Sequence, residues 1–209
     1  METGNTRDIK SFTLEQLREE MEAMGEKSFR AGQMYEWMHK KQAAGYEEMT
    51  NIPKALADKC RERYDYTALQ ICRVQESKAD GTRKYLFELA DGNTVESVFM
   101  RYQHGNSVCI SSQVGCRMGC RFCASTLDGL ERNLLPSEML DQIYAITRQT
   151  GERVSNVVVM GSGMLGVDAG RICEPVVRVD YVIVDGACHD AGADGIVVDF
   201  LYEVVGIAA

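Results

Sequence analysis

A chain of 209 residues with 45% hydrophobic content is long enough to bury a core, and disorder is not the default for this composition. The formal net charge of −8 argues on average against a polyanionic partner, because phosphates are neutralised by Lys and Arg. The average hides an asymmetry: residues 164–209 carry two basic and eight acidic side chains, whereas residues 1–163 carry 21 and 23, a nearly neutral body that leaves room for a basic face.

Phe12 to Met24 reads as a helix, with Thr13 as N-cap, Gln16 completing a capping box, and Leu14, Leu17, Met21 and Met24 at helical spacing before Gly25. A second helix is expected from Ser28, as cap, to Lys41, with Met34, Trp37 and Met38 inward and Arg30, His39, Lys40 and Lys41 forming a basic end. A third runs from Pro53 to Tyr64, with Leu56, Ala57 and Cys60 inward and Lys54, Lys59, Arg61 and Arg63 outward. Cys60 and Cys72 fall in apolar rows and read as buried small hydrophobes.

After Asp65 the period alternates. Strands are expected at 68–75, 83–89, 94–101 and 107–111, separated by turns at Asp80-Gly81, Asp91-Gly92-Asn93 and His104-Gly105-Asn106. Glu96 lies between Val95 and Val98-Phe99, a carboxylate in an otherwise apolar strand; period alone puts it on a solvent face. Leu135-Pro136-Ser137 opens a helix ending near Gly151, and SNVVVM (155–160) reads as a strand covered on both faces, followed by Gly161-Ser162-Gly163. This order is the opening of a parallel α/β sheet or barrel, in which ligands bind at the carboxyl ends of the strands. Residues 164–209 contain no Lys, Ser, Thr, Asn or Gln. That abrupt change is read as a departure of the reading frame near residue 164, although 176–184 and 196–205 have strand-like patterns.

Cys116, Cys120 and Cys123 place three thiols within eight residues as C-x3-C-x2-C. The amino terminus METGNTRDIKSF has no apolar leader, and no run approaches the ~18 apolar residues of a membrane span, so a cytoplasmic, reducing setting without a membrane partner is expected. Clustered cysteines there serve metals or catalysis more often than disulfides. Four readings stay open on spacing alone: a buried helical stripe, a zinc site completed by Cys109 or His104, a catalytic thiol, or an iron–sulfur cluster with one open iron.

The triplet with Phe122 before its last cysteine resembles the signature of radical S-adenosylmethionine enzymes. CISSQVGCRMGCRFCAST (109–126), FRAGQMYEWMHKK (29–41) and YEEMTNIPK (46–54) together resemble the RlmN family of dual-specificity RNA methyltransferases, continuously from Thr13 to Gly163. The sister group Cfr is similar in motif and modifies a different carbon of adenine.

The resemblance implies an α/β fold: an N-terminal helical RNA-binding module (1–66), a β-hairpin connector (67–106) and the first part of an incomplete radical S-adenosylmethionine (β/α) barrel (107–163), followed by a divergent tail (164–209). It implies methylation of adenine C2 in 23S ribosomal RNA and some tRNAs by a monomer drawing on an electron donor such as flavodoxin or ferredoxin. Cys116, Cys120 and Cys123 are expected to hold a 4Fe–4S cluster that binds S-adenosyl-L-methionine. Phe122, Gly161 and Gly163 are expected to contact that cofactor.

Glu96 is expected to be the proton acceptor, its apolar neighbours suiting it to a shifted acidity. Cys109 is expected to resolve the protein–RNA crosslink through a transient disulfide with a methyl-carrying cysteine. The family follows Gly-x-Gly with Glu-Pro, whereas Gly163 is followed by Met164, and Glu174-Pro175 comes only eleven residues after Gly163. The methyl-carrying role is assigned to neither Cys173 nor Cys188.

Overall fold

The structure is a computed structural model that describes residues 7–103, 105–116 and 124–160, together with the backbone of 181–184. Chain contacts separate a unit reaching to Ala68 from a second unit beginning at Leu69.

The first unit is helical. Helix α1 (Leu14–Ala23) starts where the sequence dictates: Gln16 N–H donates to Thr13 Oγ1 (3.2 Å) and Thr13 N–H donates to Gln16 Oε1 (3.0 Å), so two amides without helical partners are satisfied reciprocally. Leu17 and Met21 are its buried stripe. Helix α2 (Phe29–Tyr35) continues into a π-helical turn (Glu36–Lys40) closed by Lys41 N–H donating to Glu36 O (3.0 Å). Ser28 makes no side-chain cap there, contrary to expectation. Helix α3 (Lys54–Arg63) follows Pro53, whose fixed φ prepares the first turn, and buries Leu56, Ala57 and Cys60 as the period requires.

One expectation for this unit needs correction. His39 does not belong to a basic end: it is buried, and desolvation, helped by the charge of Lys10, lowers its pKa to about 3, so it is neutral near pH 7. The bases of α3 face outward as the period requires, and two of them pair with acids, Lys59 with Glu26 (2.6 Å) and Arg61 with Asp58 (2.7 Å) and Glu47 (2.8 Å).

The second unit is built on a sheet. Strands β1 (Gln70–Glu76), β2 (Arg83–Glu88), β3 (Thr94–Tyr102) and β4 (Gly105–Ser111) form an antiparallel meander. A short ladder of β5 (Gln113–Gly115) and β6 (Leu130–Asn133) precedes helix α4 (Pro136–Thr150). The chain then returns as β7 (Val154–Met160), parallel to β4, and β8 (Tyr181–Val184) lies parallel to β7. Among the described residues the main sheet has six strands in the order β1-β2-β3-β4-β7-β8. Antiparallel hairpins thus feed a βαβ unit, and the fold is mixed α/β.

Helix α4 begins with Pro136 in its first turn and Leu135 N–H donating to Glu138 Oε2 (2.7 Å); it ends at Gly151, whose φ of 67° is the left-handed value that glycine adopts without a Cβ penalty. The sheet's core face is formed by Tyr85, Phe87, Val95, Phe99, Val108, Ile110, Val157 and Val159, all buried. Across the strands these residues share one side because side chains alternate with period two. Cys72 breaks the pattern: a register shift between Ile71 and Arg73 interrupts the alternation of β1, and Cys72 is exposed instead of buried.

Candidate active site

The residues opposite the core face include the two candidate catalytic residues, Glu96 and Cys109. Val98 pairs with Cys109 across β3 and β4, and Leu86 pairs with Glu96 across β2 and β3. Directly paired residues point to the same side of a sheet, so Leu86, Glu96, Val98 and Cys109 share the face opposite Phe99 and Ile110. Val158, paired with Cys109, continues this face onto β7. Cys109 is half-buried, between core residues Val108 and Ile110 that point the other way.

Glu96 is not enclosed by its apolar neighbours. Val95 and Phe99 belong to the core face, and the Glu96 carboxylate is exposed on the open face, 2.9 Å from the ammonium of Lys84. Its setting is an ion pair at a wet surface, which replaces the apolar environment expected from the adjacent residues.

The carboxyl end of β4 is pinned from three directions. Fully buried Gln142 of α4 accepts from Ser111 N–H (2.9 Å) and from Ser97 Oγ (2.7 Å), and its amide donates to Ser111 O (3.0 Å). Ser112 donates from both its N–H and Oγ to Met160 O (2.9 Å each), tying the ends of β4 and β7 together. Leu134 N–H donates to Ser112 O (2.9 Å), which draws in the segment before α4.

From this anchored end the chain runs through β5 to Cys116, which is buried. Cys116 N–H donates to Gly129 O (2.9 Å). Gly115, at φ 72°, packs against that same carbonyl so tightly that a Cβ would stand 2.0 Å from the oxygen. Only glycine fits, and this fixes where the first thiol of the triplet stands. Arg132 of β6 forks onto Glu138 (2.8 Å to each oxygen) and reaches Asp91 (2.6 Å). Its guanidinium holds Asp91 down to about 2, and hydrogen bonds to both carboxylates raise the pKa of Arg132 itself. The ladder that carries Cys116 is thus braced to the β2–β3 turn and to the start of α4.

Cys120, Cys123, Phe122, Gly161 and Gly163 lie outside the described residues, as does His104. Gln142, Ser112, Arg132 and the pair Gly115 and Gly129 were absent from the residues singled out by sequence. Gln142 left a signal: it stands three residues after Met139 and four before Ile146, a polar side chain in an apolar helical row.

A family model, "Ribosomal RNA large subunit methyltransferase N-terminal domain", matches residues 7–65. A probable dual-specificity RNA methyltransferase RlmN from Lachnospira eligens is 65% identical over 156 residues, 75% of this chain and 45% of that protein. One from Clostridium novyi is 45% identical over 177 residues, 85% of this chain and 49% of its own length. A solved radical SAM methyltransferase from Sphaerobacter thermophilus superposes with a TM-score of 0.76 at 31% identity, covering 86% of this chain and 57% of that one. The chain spans a little under half the length of the first of these relatives, and over the residues that match it is similar to the RlmN family of dual-specificity RNA methyltransferases.

Proposed function

We propose that this chain is the amino-terminal portion of a radical S-adenosylmethionine enzyme that methylates C2 of adenine in 23S ribosomal RNA and in some tRNAs. The observation that carries the reading is the placement of Glu96 and Cys109 on one open sheet face, on strands whose continuation leads through a pinned turn to Cys116.

Three thiols with C-x3-C-x2-C spacing suit a 4Fe–4S cluster, since thiolates are its ligands and three leave one iron open. The fixed backbone at Gly115 supports this by setting the position of Cys116 next to it. Cys116, Cys120 and Cys123 would hold the cluster, with Phe122, Gly161 and Gly163 contacting S-adenosylmethionine. When bound, the cluster and S-adenosylmethionine supply one-electron reductive cleavage of the sulfonium, with the electron drawn from an external donor.

The protein's own part is orientation and proton handling. Glu96, paired with Lys84, would accept the proton lost from adenine C2, and Cys109 would supply the thiol that releases the product through a disulfide. In the helical unit, exposed Lys40 and Lys41 together with half-buried Trp37 would meet RNA; Lys41 lies 3.7 Å from the centre of the Trp37 ring.

The test is anaerobic reconstitution of the chain with iron and sulfide, then incubation with S-adenosylmethionine, a reductant and ribosomal RNA. The reading expects 2-methyladenosine in the digested RNA when a methyl-carrying cysteine is supplied by the remainder of the enzyme. Cluster absorbance without methyl transfer would reduce the chain to a binding protein, and zinc without sulfide would remove the cluster altogether.

A further inference from the structure

Beside Glu96 on the open face is a pocket lined by Arg73, Gln75, Lys84, Leu86 and Glu96. We infer that this pocket seats a backbone phosphate of the RNA strand, and that Lys84 passes from Glu96 to that phosphate when RNA binds. The inference rests on the RNA methyltransferase reading above and adds to it the point at which the strand is held beside the reacting residues.

Register assembles the pocket. Arg73 pairs with Leu86 and Gln75 with Lys84 across β1 and β2, while Leu86 pairs with Glu96 across β2 and β3. The register shift at Ile71/Arg73 turns Arg73 to this side, so a bulge that otherwise only exposes Cys72 has a consequence for the site. Among the described residues Arg73 makes no ion pair and the Gln75 side chain makes no hydrogen bond, which leaves a guanidinium fork and an amide with donors to offer.

The chemistry selects a phosphodiester. Arg73, Lys84 and Glu96 sum to one positive charge, which matches one phosphodiester anion. Leu86 is the only apolar side chain in the lining and no aromatic ring is present, so a base has nothing to stack on. An arginine fork binds phosphate oxygens in two parallel hydrogen bonds. The Lys84–Glu96 pair is about half exposed, at 46% and 55%, and an exposed pair of this kind is screened by water and weakly held. A phosphate can therefore displace the carboxylate from Lys84, leaving Glu96 uncommitted at the moment substrate is present.

The experiment is RNA binding by the 209-residue chain, read by fluorescence anisotropy of a labelled fragment of large-subunit ribosomal RNA over a series of salt concentrations. Arg73→Ala and Lys84→Ala should each weaken binding and lower the salt slope by about 1, with Lys84→Arg restoring it. Glu96→Gln should bind RNA at least as tightly as the parent chain, because Lys84 is then released without competition. Inorganic phosphate alone should show no saturable binding.

Parent-like affinity and slope in both alanine variants would overturn the pocket while leaving the RNA reading intact. Failure of the parent chain to bind RNA would overturn both. Saturable binding of free phosphate, with RNA binding indifferent to the variants, would make this a small-anion site instead. Thermal melts of the variants should match the parent, since they change exposed side chains only.

Discussion

The two faces of the β2–β3–β4 sheet are built from alternate residues of the same strands and have opposite characters. Tyr85, Phe87, Val95, Phe99, Val108 and Ile110 form a buried face, whereas Lys84, Leu86, Glu96, Val98 and Cys109 face the other way and include an exposed ion pair and a half-buried thiol. The first face supplies stability by removing apolar area from water, and the second leaves polar groups available for chemistry. One step along the chain separates a residue of the core from a residue of the site.

The contrast can be broken most forcefully at Phe99 and Val98, which are neighbours in sequence. Phe99→Ala should cost about 3–5 kcal/mol through lost burial and the cavity left behind. Val98→Ala should change stability by no more than about 1 kcal/mol. Urea denaturation of both variants checks this, and equal losses would mean that the open face is also core. Gln142→Leu comes next: with Ser111 N–H, Ser111 O and the Ser97 hydroxyl deprived of their buried partner, the loss should be about 1–3 kcal/mol.

The buried-versus-open division extends to the helical unit through His39. In the unfolded chain this histidine takes up a proton below its ordinary value of 6.5, while the folded site resists protonation until about 3. Between these limits the unfolded state holds more protons, so stability falls as pH falls from 6.5 toward 3, with a slope of at most about 1.4 kcal/mol per pH unit. Denaturation midpoints measured across that window should drop in the parent chain and flatten in His39→Gln. A small effect is expected at the first helix, where Thr13→Ala should cost about 1 kcal/mol and should also expose α1 to faster amide exchange.

How much of this was legible in the sequence follows the range of the interactions. Thr13 with Gln16, Pro53 and Gly151 act within a turn of their own positions, and the helix limits they set are found within a residue or two. The alternation of Thr94–Tyr102 already assigned Glu96 to the side away from Val95. What misled was weighing Glu96 by its sequence neighbours, which in a strand are the residues it does not face.

Cys72 failed for a different reason: a bulge is a property of the β1–β2 pairing and leaves no mark in a single strand's period. Strands β5 and β6 have three and four residues, too short to show a period, and are held by Ser112, Gly129 and Arg132 through partners distant in the chain. The cysteine triplet was the clearest signal in the sequence, yet the support that holds its first member, the contact of Gly115 with Gly129, exists only once the chain has folded.

The measurement that bears most directly on the account is the iron and acid-labile sulfide content of the anaerobically reconstituted chain, with the electron paramagnetic resonance spectrum of its reduced form, compared with Cys116→Ala. The account predicts about four iron and four sulfide per chain and a cluster signal that shifts on adding S-adenosylmethionine, both lost in the variant. A chain that takes up zinc without sulfide, or a variant that retains the full cluster, would contradict it.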